Sequence, residues 1–324
     1  MAAGEVTVGM IILSETAVGI LGNSLLAYHY LSLYFIGSRI RFTEWILQHL
    51  VVANFLTLIC KGVPETMAAF GLKDFLDDFG CKLLPYLHRV GRGVSISSTS
   101  FLGVFQATII SPTCLIWKKD KVKSPSYIAS CVYLSWILSL IANIAFPMNM
   151  TARWSHRNMT SLKQYGYCSA VYLDKTSDLL YAVLLSGPDV LFMGLMLWSS
   201  VSMVYILCRH KQRMRCIHRS QFSLRSSPET RATKTILLLL STFICFYTLS
   251  SLLQASLALY DPDWLLVKMA TIASGCFPTV SPFLLMNHDS HENPFCFAYA
   301  RSRKQQPCGQ QVNCLFLINV QFCL

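Results

Sequence analysis

Seven long apolar stretches run through the chain, separated by short polar segments. A bilayer core about 30 Å thick needs about 20 apolar residues for one helical crossing, and every stretch reaches that length. Polar residues interrupt the third and the seventh. The pattern predicts an all-α membrane protein, a bundle of seven transmembrane helices. The stretches lie at Val8–Tyr34, Trp45–Phe70, Cys81–Pro112, Pro125–Met148, Leu179–Cys208, Thr235–Tyr260 and Leu265–Met286.

The composition favours the same class of protein. Of the 324 residues, 53% are hydrophobic and only 13% are charged, and the mean hydropathy is +0.46. A soluble domain of ordinary composition carries about twice that share of charge. Because the seven stretches and their connections use nearly all of the residues, we expect one membrane domain at 1–289, followed by a cytoplasmic tail at 290–324.

The net charge of +11 is distributed unevenly between the connections. Basic residues cluster after the first, third, fifth and seventh stretches, while the other connections hold few. By the positive-inside rule, this asymmetry places the N-terminus outside and the C-terminus in the cytoplasm. It argues against a nucleic-acid-binding protein, which gathers its basic residues on one folded surface. The basic clusters are Arg39–Arg41, Lys118–Lys123, Arg209–Lys234 and Arg301–Lys304.

Two of the 13 cysteines fall on the predicted outer face, and so do two glycosylation sequons. Cys81 begins the third stretch, and Cys168 lies in the long connection after the fourth. Disulfides persist in an oxidising compartment, so we predict a disulfide between these residues, with two unpaired surface thiols as the alternative. The same connection carries the Asn-x-Thr acceptor pattern at Asn149 and at Asn158, of which Asn158 lies farther from the membrane.

Five charged residues inside the apolar stretches are candidates for a binding site, since an ionisable side chain at that depth costs about 2.5–3.5 kcal/mol and is a functional candidate by default. Arg89 and Arg92 lie about 12 and 16 Å along the third helix, with the i, i+3 spacing of one face. Lys61 and Glu65 lie in the second stretch and Asp189 in the fifth. These five predict a polar cavity, cationic on balance, that favours a small ligand with an anionic or acceptor group.

A second interpretation of these charges is purely structural. Glu65 could pair internally with Arg89 or Arg92, holding helices together and binding nothing. Lys268, near the outer end of the seventh stretch, could extend its ammonium group to the membrane surface. The sequence alone leaves the cavity and the internal pairing open.

Signals of catalysis are absent from the sequence. We find no glycine-rich phosphate loop, no His/Cys cluster with metal-ligand spacing and no Gly-x-Ser-x-Gly element. We therefore expect no enzyme activity, no cofactor and no metal site.

A set of longer motifs follows one order along the chain. They are Gly22-Asn-Ser24, His49-Leu-Val-Val-Ala-Asn54 continuing to Lys61-Gly-Val-Pro-Glu-Thr66, Leu87-His-Arg-Val-Gly-Arg-Gly-Val-Ser-Ile96, Val104-Phe-Gln-Ala107 through Ser111-Pro112, Ser124-Pro-Ser-Tyr-Ile128, Tyr167-Cys-Ser169, Asp189-Val-Leu-Phe192, Arg209-His-Lys211, Arg231-Ala-Thr233, Phe246-Tyr247 and Cys276-Phe-Pro-Thr279 with Ser281-Pro-Phe283. In these motifs, over about residues 10–303, the chain resembles the type 1 vomeronasal receptors.

That resemblance implies a seven-helix G-protein-coupled receptor in the plasma membrane of vomeronasal sensory neurons. It implies a small-molecule pheromone as ligand, a heterotrimeric G protein of the inhibitory class as partner, and contact with membrane lipid. The alternatives are a bitter-taste-like chemoreceptor, a multi-pass transporter or channel, and a non-signalling relic of a receptor.

Overall fold

A computed structural model describes residues 3–35, 42–72, 75–111, 123–144, 147, 150–152, 162–165, 168–171, 175–217, 228–259 and 264–289 of the chain. Helices account for most of them. They are α1 (Ala3–Phe35), α2 (Phe42–Thr57), a π-helical segment (Leu58–Gly62), α3 (Val63–Ala69), α4 (Asp78–Ile110), α5 (Lys123–Ala142), α6 (Lys175–Ile217), α7 (Pro228–Leu259) and α8 (Trp264–Asp289).

These helices form the predicted seven membrane crossings, because α2, the π-helical segment and α3 continue one another as a single helix. Within the described residues, six helices are long and apolar enough to span a bilayer, and α5 contains the shorter apolar stretch Ala129–Ala142. Many large apolar side chains of α1, α5 and α6 are exposed, which is the surface that lipid covers. The fold class predicted from the sequence, a seven-helix receptor-type bundle, is confirmed.

The fourth crossing ends earlier than the sequence indicates. The apolar stretch runs to Met148, whereas α5 ends at Ala142 and a turn follows at Asn143 and Ile144. The Asn143 side chain donates to the carbonyl of Ser139 at 2.8 Å. A polar side chain that bonds to nearby backbone competes with helix continuation, and Pro147 lies just beyond.

The π-helical segment of the second crossing precedes Pro64. Proline has no N–H, and its ring clashes with the carbonyl four residues earlier, here that of Cys60 inside the segment. A wider turn relieves that clash. The helix then ends at Ala69, and Gly71 follows with φ of 93°, a backbone conformation that favours glycine.

Helix α4 is the central helix, since it packs against α2, α5, α6 and α7. Asp77 caps its first turn, where the carboxylate accepts from the Gly80 N–H at 2.8 Å. A Cβ on Gly91 would lie 2.9 Å from the carbonyl oxygen of Ala53 in α2. Lipid tails give no hydrophobic force between helices, so association depends on this kind of close approach at small residues.

Buried hydrogen bonds cross the bundle below the level of Gly91. The Ser95 hydroxyl donates to Asn54 Oδ1, and Asn54 Nδ2 donates to Ser281 Oγ in α8, each at 2.9 Å. Asn23 Nδ2 donates to the carbonyl of Pro278 at 2.8 Å. These bonds link α1, α2, α4 and α8 around an apolar core that includes Leu26, Ile46, Leu50, Leu102, Met196, Leu240, Phe243 and Phe277.

The connection between α5 and α6 carries a small antiparallel sheet, an addition to the all-α prediction. Its strands are β1 (Met150–Ala152), β2 (Leu162–Tyr165) and β3 (Cys168–Val171), in the order β1-β3-β2. A disulfide joins Cys168 of β3 to Cys81 in the first turns of α4, with the Cα atoms 5.8 Å apart. The sequence predicted this disulfide, and the structure contains it. Asn149 and Asn158 lie outside the described residues.

Two compact units divide the chain, Met1–Met286 and Asn287–Leu324. The first holds the packing described above. In the second, the structure describes only the end of α8. The tail at 290–324 lies outside the described residues, and its separation from the membrane domain stays a prediction.

Candidate functional site

A cavity of about 40 Å³ lies inside the bundle between α2, α4, α7 and α8; we call it the main cavity. Space of that size holds a few water molecules. Polar and aromatic side chains share its walls. They include His88, Arg92, Ser95, Phe243, Phe246, Tyr247 and Phe277.

Arg92 is the charged residue of this wall. Its Nη2 donates to Ser251 Oγ at 3.3 Å, and its guanidinium carbon lies 4.5 Å from the centre of the Tyr247 ring. The ring of Phe243 stacks on the ring of Tyr247, with 5.6 Å between their centroids. The Tyr247 hydroxyl donates to the carboxylate of Asp189 in α6. Tyr247 of α7 thus connects a cation of α4 to an anion of α6.

His88, on the same wall, has an unsatisfied polar atom. Its Nε2 is buried and has no hydrogen-bond partner among the described residues. His88 precedes Arg92 by four residues on α4, so both side chains lie on one helix face. A buried polar atom without a partner costs roughly 1–3 kcal/mol, which a water molecule or a ligand can relieve.

A second, smaller cavity of about 20 Å³ lies between α1, the π-helical segment and α8. Glu15 and Lys61 are on its wall, and Ser274 borders both cavities. Lys61 Nζ donates to Ser274 Oγ at 2.8 Å, so this hydrogen bond stands at the boundary between the two cavities. The Glu15 carboxylate lies against Gly275, where a Cβ would approach it to 3.0 Å.

Glu65 has a different partner from those that the sequence suggested. Lys268 Nζ lies 3.0 Å from Glu65 Oε2, and the two side chains are 10% and 9% exposed. Glu65 therefore does pair internally, but with Lys268 and not with Arg89 or Arg92. Lys268 does not extend to the membrane surface. The pair joins α3 to α8.

Arg89 points away from the main cavity. Its Nε donates to Asn143 Oδ1 at the end of α5 at 3.0 Å, whereas Arg92 reaches α7. Residues three positions apart differ by about 60° around a helix axis. That angle is enough to direct the long side chain of Arg89 towards α5 and that of Arg92 towards α7.

The five predicted site residues are thus distributed rather than gathered. Arg92 lines the main cavity, Asp189 is joined to its wall through Tyr247, and Lys61 lines the second cavity. Sequence reasoning missed Glu15 and Tyr247. Glu15 carries the signal that selected Lys61, an ionisable residue within an apolar stretch. An aromatic residue such as Tyr247 has no comparable signal, because most aromatic residues in membrane helices only pack.

Known proteins match the chain over most of its length. The sequence profile of the vomeronasal organ pheromone receptor family matches residues 6–298. Vomeronasal type-1 receptor 4 of Homo sapiens is 53% identical over 302 residues, which cover 93% of this chain and 100% of that receptor. Vomeronasal type-1 receptor 2 of Homo sapiens is 46% identical over 294 residues, 90% of this chain and 74% of that receptor.

The similarity extends to fish, where Olfactory receptor class A-like protein 1 of Danio rerio is 30% identical over 283 residues. That alignment covers 86% of this chain and 88% of the relative. The residues that the family profile matches, 6–298, span the positions of the cysteine pair and of both cavity walls. The chain belongs to the vomeronasal organ pheromone receptor family.

Proposed function

We propose that this protein is a plasma-membrane pheromone receptor that binds a small ligand in the main cavity and activates a heterotrimeric G protein. The observation that carries the proposal is a mainly apolar cavity, with the polar side chains of Arg92 and His88 on its wall, inside the seven-helix bundle. Ligand sites of this kind combine apolar walls with a few placed polar groups.

The proposed orientation has the N-terminus outside the cell. The disulfide between Cys81 and Cys168 supports it, since such a bond persists in an oxidising compartment. At the opposite end, α6 continues beyond its apolar part into the basic segment that ends at Ile217. Asn158 and Asn149 are then the proposed glycosylation sites of the outer connection, and residues 290–324 form the cytoplasmic tail.

Ligand binding requires the cavity to enlarge, because about 40 Å³ is too little for a whole organic molecule. Tyr247 is the side chain whose contacts such an enlargement would have to break, since it links α7 to both α4 and α6. A ligand that binds better to a state with these helices apart shifts the population towards that state. The cytoplasmic face of the open state then engages the G protein, for which the inhibitory class is our proposal.

The test is ligand-evoked signalling in cells that carry a reporter for the inhibitory G protein. A panel of volatile and steroid-like compounds is applied to the natural receptor and to Arg92→Ala at matched surface expression. We expect a response that the natural receptor shows and Arg92→Ala loses. Lys82→Ala is the control, because Lys82 is an exposed cation on the same helix. An equal response in Arg92→Ala removes the main cavity from the proposal.

A further inference from the structure

The charges on the cavity wall point to one chemical class of ligand. Resting on the function proposed above, we propose that the main cavity binds an organic carboxylate. Its headgroup is held by the guanidinium of Arg92 and by His88 Nε2, and its apolar body contacts the aromatic side chains of α7 and α8.

The cavity wall carries a cation without a direct ion-pair partner among the described residues. The partners of Arg92 are the Ser251 hydroxyl and the Tyr247 side chain, both uncharged, and Tyr247 stands between Arg92 and the Asp189 carboxylate. Among the described residues, no carboxylate lies within ion-pair distance of Arg92. A partly buried cation without a counter-charge is costly, and an anion entering the cavity removes that cost.

The acidic residues nearby cannot supply this counter-charge without giving up other partners. Glu65 forms an ion pair with Lys268. Asp189 accepts the hydrogen bond of Tyr247. Glu15 lies on the wall of the second cavity, beyond the Lys61–Ser274 hydrogen bond. The charge left to a ligand of the main cavity is therefore positive.

The spacing of His88 and Arg92 suits a headgroup of particular shape. His88 and Arg92 stand one helical turn apart, with Cβ atoms about 5–6 Å from each other. In its Nε2–H tautomer, His88 donates one hydrogen bond, and the planar guanidinium donates in a fork that matches a carboxylate. A carboxylate has three heavy atoms, so the headgroup suits a cavity of about 40 Å³, and the rest of the ligand requires the enlargement proposed above.

The apolar body of the ligand contacts the aromatic walls of the cavity. Phe243, Phe246 and Phe277 line the same cavity, and the rings of Phe243 and Phe277 meet edge to face at 4.4 Å. These walls suit an apolar, preferably aromatic, body. A primary amine of the same shape is repelled by the guanidinium of Arg92, and a neutral alcohol does not compensate its charge.

The experiment measures binding without any G protein. Thermal unfolding of the purified receptor in detergent is followed with benzoate, hydrocinnamate and decanoate, each beside its matched alcohol, methyl ester, primary amine and sulfonate. We expect at least one carboxylate to raise the unfolding temperature saturably, and its matched amine, alcohol and ester to leave it unchanged. Arg92→Gln should lower the affinity for that carboxylate about tenfold or more. The affinity of Arg92→Lys should lie between those of Arg92→Gln and the natural receptor.

Two further variants separate the headgroup contacts from general damage. His88→Leu removes the Nε2 donor and should lower the affinity for the carboxylate. His88→Gln supplies an amide donor and should retain part of that affinity. Arg89→Gln is the control for loss of an arginine from α4, because Arg89 bonds to Asn143 and lines neither cavity. It should bind the carboxylate as the natural receptor does. If Arg92→Gln is not recovered folded, Arg92→Lys and His88→Leu carry the test.

Three outcomes overturn the inference: no carboxylate stabilises the receptor, an amine, alcohol or sulfonate stabilises it as well as the carboxylate, or binding is unchanged in Arg92→Lys and His88→Leu. The proposed function fails separately. A carboxylate that binds but evokes no G-protein response contradicts the signalling proposal alone, while signalling evoked through the main cavity by amines and not by acids contradicts only the carboxylate.

Discussion

Lys268 Nζ and Glu65 Oε2 lie 3.0 Å apart within the membrane bundle, and both residues are less than one tenth exposed. The two residues are separated by 203 positions in the chain, on α8 and α3. Each charge makes the other tolerable in a medium of low polarity, so the pair couples the position of α8 to that of the second crossing.

Breaking this pair on one side should be severe. Glu65→Gln or Lys268→Met leaves the remaining charge buried and alone, and we expect a loss of about 3–5 kcal/mol in stability. The double variant Glu65→Gln/Lys268→Met removes both charges and should recover most of it. The thermal midpoint of each purified variant in detergent checks this. Equal losses in the single and double variants would mean that the two charges do not compensate each other.

The Tyr247 hydroxyl offers a finer test of the link between α6 and α7. Tyr247→Phe keeps the ring over Arg92 but leaves the Asp189 carboxylate without its donor, and we expect a loss of about 1–3 kcal/mol in stability. Thermal unfolding of the purified receptor measures it. Tyr205→Phe on the exposed face of α6 is the control and should be neutral; comparable losses in the two variants would contradict the link.

Gly91 should not tolerate a methyl group. In Gly91→Ala, the added Cβ meets the Ala53 carbonyl and the Thr57 hydroxyl at 2.9 Å, so α2 and α4 must separate. We expect a loss of about 1–3 kcal/mol and reduced surface expression. Gly194→Ala on α6 is the matched control, because its Cβ has nothing within 4 Å. It should be neutral or slightly stabilising, since alanine favours helix. Full stability of Gly91→Ala would rule out the close approach.

The disulfide should act as one unit. We expect Cys81→Ser, Cys168→Ser and the double variant to lose the same amount, about 2–5 kcal/mol, because each removes the same cross-link. Thermal midpoints with and without a reducing agent provide the measurement. The reducing agent should lower the midpoint of the natural receptor to that of the variants and leave theirs unchanged. A single variant less stable than the double one would point to a thiol with a separate effect.

How far the site follows from the sequence differs from residue to residue. Arg92 was predicted because an ionisable residue within an apolar stretch stands out, and the structure places it on the cavity wall. Arg89 carried the same signal and lies elsewhere, since about 60° of helix rotation decides between α5 and α7. The partner of Glu65 was not predictable, because nothing local to either residue indicates which helix will face it.

Sequence by itself determined the helices of this receptor and the pair of cysteines at one end. Membrane crossings are set locally, by the length of an apolar run and by backbone hydrogen bonds within each helix. Only the tertiary structure decided which polar side chains share a cavity. That depends on the rotation and close approach of neighbouring helices, such as the approach of Gly91 in α4 to the Ala53 carbonyl in α2, next to the turn of α4 that carries His88 and Arg92.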